Sequence, residues 1–278
     1  MDGDWTEAEV GGFLRSRRAR IRPEEVGLPA HGRRRVPGLR REEVAQLAGM
    51  SVDYYIRLEQ GRGPSVSDAV LDAIARVLRL DETEHTYLRT VARPHRRRKE
   101  PAGPSRVRPG LQALLDGMER SPAFVLDRRM DVLAWNALGD AVNGFSRMTP
   151  RERNMPRQVF LGPAAREVFP EWAAVAAQTV AQLRLSAGRY ADDPVLCALV
   201  GELSLKSDDF RRLWADHEVR ECAYGVKRIQ HPVAGLLALP YETLTVPSDP
   251  EQTLVVYTPE PGSETAERLA LLGSWTTV

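Results

Sequence analysis

The spacing of apolar positions changes character near residue 93. Before it the period is helical. Residues 8–21 (AEVGGFLRSRRARI) place Val10, Phe13, Leu14 and Ile21 near helical spacing with arginines between them. Pro23 and the stretch GLPAHGRRRVPG then predict a long loop rich in breakers. A second helix is expected through about 40–48, ended by Gly49, and a third from an N-cap at Ser51 to Gly61. Ser67 opens a fourth, SDAVLDAIARVLRL, with Val70, Leu71, Ile74, Val77 and Leu78 on one stripe, and DETEHTYLRTVA makes a fifth. Five short helices over 8–92 predict an all-α domain.

Residues 93–109 (RPHRRRKEPAGPSRVRP) are basic, proline-rich and without period, as expected of a linker. It is either a solvated tether or an arm that tracks phosphates. From 110 to 278 the texture differs. AFVLD and MDVLAW are short β-type runs around Arg128-Arg129, and about 137–218 is helical. AYGVKRIQH, AGLLALPYETLTV and TLVVYTPE then return to β character. Two strands, a helical insert and three strands predict an α+β domain, its five-stranded antiparallel sheet with helices gathered on one side.

Charge sharpens this division. The chain is only +1 overall, but residues 1–100 hold 20 Arg+Lys against 16 Asp+Glu, and the rest 19 against 22. Within residues 11–62 the count is 12 against 6, so positive charge is focused on one helical segment and implies a polyanion partner for the first domain alone. Two cysteines, Cys197 and Cys222, are too few for a disulfide framework and fit a reducing, cytoplasmic setting. No apolar run approaches the ~20 residues that span a bilayer, and the N-terminus has no secretory pattern.

The densest chemistry lies in LRREEVAQLAGMSVDYYIRLEQG (39–61). Val44 and Leu47 have helical spacing, small Ala45 and Ala48 admit a second helix, and Gly49 turns the chain. Tyr55 and Leu58 point back to the core, whereas Val52, Asp53, Ile56 and Arg57 face outward. That is the layout of a helix-turn-helix, whose second helix enters the major groove N-terminus first. Asp53 can accept from cytosine N4 or pair with Arg57 four residues on. Arg57 is a guanine reader or a solvated arginine, and Arg33, Arg34 and Arg35 are phosphate contacts or a solvated loop.

These residues resemble the XRE-type helix-turn-helix of phage-repressor-like regulators. With RRRVPGLRREEVA and the later FRRLWADHEVR and GVKRIQHPVAGLLALPYETLTV, nearly the whole chain resembles the MmyB-like transcription regulators. The resemblance implies a five-helix DNA-binding domain joined to a PAS-like sensor domain that holds a fatty-acid-like ligand. Carried over by position, Val52, Asp53 and Arg57 read bases, while Arg40, Arg41 and Tyr54 hold phosphates of double-stranded DNA. A homodimer is expected, since one short helix supplies too few base contacts.

Candidate ligand residues are Trp135, which is pocket wall or plain core, and Asn136, also a plausible helix cap. Arg212, Trp214 and His217 would form a polar mouth or an interdomain contact, and His231 precedes Pro232 at a turn between strands. HEVREC (217–222) lacks HExxH spacing and is a poor metal site. No Ser-His-Asp grouping, P-loop or GxSxG is present, so an enzyme is not expected and no cofactor beyond a bound apolar ligand is implied. A purely dimerising or partner-docking second domain is the alternative to sensing.

Overall fold

Side chains that supply backbone acceptors set where the first helices begin. In the computed structural model, which describes residues 2–29, 36, 38–62, 66–93 and 106–276, five helices follow in the expected order. They are α1 (Asp2–Arg20), α2 (Arg41–Leu47), α3 (Val52–Glu59), α4 (Asp68–Val77) and α5 (Glu82–Ala92), with a short 3-10 turn at Pro23–Val26 after α1. Ser51 and Ser67 accept the N–H of Tyr54 and Val70, and Asp81 exchanges bonds with Glu84 in a reciprocal capping box. Gly49 has φ +68°, a left-handed turn that ends α2 and starts α3 within three residues. Arg33, Arg34 and Arg35, and all but the ends of the 93–109 segment, lie outside the described residues.

The core of this unit is the stripe anticipated from spacing. Phe13, Leu14, Val44, Tyr55, Leu71 and Ile74 are fully buried. Phe13 meets Tyr87 edge to face with centroids 5.2 Å apart. Each such side chain contributes roughly 1.5–3 kcal/mol relative to exposure. Residues 1–97 are joined in this compact unit by 184–199 and 212–221. Leu185 and Val219 pack on the same core.

The second unit comprises 98–183, 200–211 and 222–278. After α6 (Pro109–Asp116) come β1 (Ala123–Leu126) and β2 (Val132–Trp135). The helical stretch follows: α7 (Ala137–Asn143), a 3-10 turn at Phe145–Arg147, α8 (Met155–Leu161), α9 (Ala165–Val168), α10 (Trp172–Arg189), α11 (Pro194–Lys206) and α12 (Asp208–Ala215). Then come β3 (Tyr224–His231), β4 (Gly235–Thr245), β5 (Thr253–Tyr257) and α13 (Glu264–Thr276). The five strands form one antiparallel sheet in the order β2-β1-β5-β4-β3. Pairing of β1 with β5 closes the two strand groups across the helical insert.

Side chains alternate across this sheet, and directly paired residues share a face. One face carries Ala123, Val125, Ala134, Leu254 and Val256, covered by Leu115 with Leu111 and Met118 beside it. The other carries Phe124, Trp135, Leu239, Tyr241, Val255 and Tyr257, with Phe145 edge-on to Phe124 at 5.3 Å. Helices are therefore not gathered on one side: α6 covers the face opposite Phe145. α6 carries little sequence signal, because PGLQALLD has two turns and only three leucines to declare its period. Among the described residues, no helix is long and apolar enough to cross a membrane.

Candidate nucleic-acid interface and ligand site

α3 is held by one face and offered by the other. Tyr55 and Leu58 are buried, while Asp53 and Arg57 are exposed and Val52, Tyr54 and Ile56 half-buried. The Ser51 cap takes the Tyr54 N–H at 3.2 Å. Arg57 Nε donates to the Asp53 carbonyl oxygen at 3.4 Å. The two readings of Asp53 thus separate: no ion pair joins its carboxylate to Arg57, so both charged groups stay available to an outside partner. At the start of α2, the Arg40 N–H donates to the Glu43 carboxylate at 2.7 Å, leaving the exposed Arg40 guanidinium uncommitted by the cap.

Behind this surface lies a carboxylate that periodicity did not single out. Glu59, the last residue of α3, has a side chain with no exposure. Arg18 grips it with two bonds, Nε to Oε2 at 3.2 Å and Nη2 to Oε1 at 2.9 Å, and gives Nη1 to the Leu39 carbonyl at 2.6 Å. Arg41 adds Nη2 to Oε1 at 3.2 Å. One carboxylate therefore locks α1, α2 and α3 together. Arg41, 40% exposed and sharing its anion with Arg18, still leaves the cluster one net positive charge at the surface.

In the sheet domain, Asn136 is a knot. Its Oδ1 accepts the N–H groups of Ala123 (3.0 Å) and Gly139 (2.7 Å), and its Nδ2 donates to the carbonyls of Met118 and Ser121, both at 2.8 Å. It caps α7 and spends every polar atom on backbone. Asn136→Ala should cost about 2–3 kcal/mol, one cap plus buried groups left unpaired. Urea unfolding would measure this, and a loss under ~0.5 kcal/mol would contradict it. Trp135 lies on the covered face, 5.6 Å from Phe145, with the Arg153 guanidinium carbon 4.8 Å from its ring centre. His231 is a turn lock: Nδ1 accepts from the N–H of Val233 (3.2 Å) and Ala234 (3.0 Å), so Nε2 carries the proton and donates to the Ala141 carbonyl at 3.1 Å.

Two family profiles cover most of the sequence. A helix-turn-helix domain profile matches residues 9–88, and that of the MmyB-like transcription regulator ligand binding domain matches 107–272, more than half of the chain. The chain belongs to the MmyB-like transcription regulators. No match appears among curated proteins. This MmyB-like regulator thus combines a DNA-binding helix-turn-helix with a domain for a small-molecule ligand.

The remaining three candidates divide. Arg212 is exposed. Trp214 and His217 sit with α1 in the first unit. The last carbonyls of α12 and the residues after it take side-chain donors there: Ser16 and Arg20 on Asp216, Arg17 on His217, and Arg184 on Trp214. Arg184, fully buried, also pairs with Glu9, whose Oε1 accepts the Tyr87 hydroxyl at 2.7 Å. The Arg184 guanidinium lies 4.1 Å from the Trp214 ring centre, and burial lowers its pKa to about 9, leaving it a cation at neutral pH.

His217 Nδ1 is 3.1 Å from Arg184 Nη1, an acceptor's position. Desolvation, then the Arg184 and Arg17 charges, push the imidazole down to about 3, so it is neutral. Gly12 makes this seat possible, because a Cβ there would stand 2.2 Å from the His217 ring. Spacing pointed to His217 and Trp214 by type, but Glu9, Gly12 and Arg184 gave no local signal. Glu9 stands 208 residues from His217 and 175 from Arg184, and Arg184, on α10, stands 33 residues from His217.

Proposed function

We propose that this regulator binds double-stranded DNA sequence-specifically as a homodimer. Its α3 enters the major groove, where Val52, Asp53 and Arg57 read base edges. Arg33, Arg34, Arg35, Arg40, Arg41 and Tyr54 hold phosphates. The observation that carries this reading is the split character of α3, capped and buried on one side, with an exposed carboxylate and an exposed guanidinium that form no ion pair with each other on the other. Arg57→Ala should then relax preference at about one base position at a cost of ~1–3 kcal/mol. Arg40→Ala should weaken all sequences alike and reduce the salt slope by ~1. Fluorescence anisotropy on cognate and random duplexes separates the two, and identical effects on both DNAs would reject this division of roles.

The sheet domain, on this reading, takes a small apolar or fatty-acid-like molecule against the face of Trp135, Leu239 and Val255. Ligand that binds one dimer arrangement more tightly changes the spacing of the two reading helices. Mass spectrometry of extracts from natively purified protein tests this. If nothing lipid-like copurifies and none shifts the melting temperature, the sensing role loses its support.

A docking role for the same domain is favoured by a different observation. On the face of β3 and β4 opposite Lys227, Tyr224 is 76% exposed, and Val226, Leu236 and Leu244 are exposed beside it. This apolar face also supports the homodimer. Tyr224→Glu with Val226→Glu should yield monomer in sedimentation if the dimer uses it.

A further inference from the structure

α11 (Pro194–Lys206) is apolar on two opposite sides, and only one of them is covered. Leu196, Leu199, Val200 and Leu203 are buried at helical spacing. On the opposite side Pro194, Ala198, Gly201 and Leu205 are exposed, spaced four, three and four residues apart. That spacing makes the kind of seam along which one helix packs on another. Leu205 is 85% exposed, and Val195 on the flank of the seam is 54% exposed. A helix that is apolar all round belongs in an interior, so the open side of α11 lacks a neighbour.

Gly201 adds a separate argument. A glycine inside a helix is costly relative to alanine, because it has more backbone freedom to lose. A Cβ at Gly201 would meet nothing within 4 Å, so no contact among the described residues requires glycine there. Its missing side chain leaves a notch in the middle of the seam, where a second backbone can come close. Charge then selects what fills it. The end of α11 at Pro194 carries Asp192 and Asp193 against Arg189, a net of −1. The other end carries Arg151, Arg157 and Lys206, all on the Glu202 carboxylate, a net of +2. A second α11 laid antiparallel sets each negative end beside a positive one, whereas a parallel one sets like ends together.

We propose that the open side of α11 is the seam of the homodimer, covered by the α11 of a second copy of this chain running antiparallel. A two-fold axis midway between Ala198 and Gly201 faces Pro194 with Leu205 and Ala198 with Gly201. It also brings Lys206 of one copy alongside Asp192 of the other. Each contact then occurs twice, as a self-complementary patch requires. The inference rests on the reading of this regulator as a homodimer. It goes further by naming the surface, the direction of pairing and the charges that select it, and it assigns the dimer to α11 rather than to the exposed face of β3 and β4.

The test is sedimentation equilibrium of the full chain at low salt. Wild type should sediment as a dimer. Gly201→Glu should weaken self-association about tenfold or more, because it buries a charge in the seam. Its helical circular dichroism should stay unchanged, since the position is open within the chain. Tyr224→Glu with Val226→Glu should associate as wild type does. Asp192→Lys alone should weaken the dimer roughly fivefold, and adding Lys206→Glu to it should restore most of the loss, since the two positions meet across the axis. A Gly201→Glu variant that dimerises like wild type, or no recovery in the Asp192→Lys, Lys206→Glu protein, overturns the α11 seam while the homodimer stands. Wild type that is monomeric at every concentration overturns the homodimer and the seam together.

Discussion

Replacing Glu59 with alanine lowers the unfolding free energy of the helix-turn-helix unit by about 3–5 kcal/mol, the cost of breaking a buried ion pair from one side. The carboxylate has no exposure and takes three guanidinium N–H groups, two from Arg18 and one from Arg41. Without it, Arg18, 12% exposed, keeps its bond to the Leu39 carbonyl but has lost its carboxylate. The loss falls on α3 itself, because Glu59 is the residue that ties its C-terminal end to α1 and α2. Urea unfolding should therefore shift one transition, and DNA affinity should fall even though no reading residue has changed. Replacing Arg18 and Glu59 together with methionine and leucine should recover most of the stability, since two apolar side chains of similar length leave no orphaned charge on that pair. A Glu59→Ala loss below ~1 kcal/mol would mean the pair is solvated and the three helices are held by their apolar contacts alone.

The same residue shows where the sequence was legible. The helix-turn-helix declares itself locally: Gly49 for the turn, Ser51 for the cap, Tyr55 and Leu58 three apart for the buried face. Each is a short-range rule, and each holds. Glu59 lies one residue beyond that pattern and reads as solvated charge, because what buries it is Arg18 on another helix. The sheet order follows the same logic. Five strands could be counted from their composition, but not that β1 would pair with β5, nor that α6 would cover the face away from Phe145.

Among the candidate site residues, chemistry was more legible than role. Asn136 and His231 were marked as polar residues at strand ends, and both spend their polar atoms on backbone, Asn136 as the cap also anticipated for it. Trp214 and His217 were marked as a polar cluster, and their partners Glu9 and Arg184 are separated from them by chain folding rather than by any period. Long-range partners of charged groups are what one sequence expresses least.

His217 turns that hidden cluster into a measurable acid sensitivity. Its imidazole faces Glu9, Arg15, Arg17, Arg184 and Asp216, and its pKa falls from about 6.5 to about 3 because burial and the arginines oppose a second positive charge. The folded state thus binds its proton less readily than the unfolded chain does. Stability from this group is complete above about pH 6.5 and is lost progressively as pH falls toward 3, amounting to about 3–4 kcal/mol after allowance for its partial exposure. His217 has φ +52°, so asparagine is the natural replacement: it tolerates the left-handed backbone, can accept from Arg184, and does not titrate. Unfolding curves at pH 7.5, 6, 5 and 4 should show wild type losing stability faster than His217→Asn, with the gap opening below pH 6.5. Parallel curves down to pH 4 would place the His217 proton on the folded protein at no cost, and Arg184 could then not be the donor on that ring nitrogen.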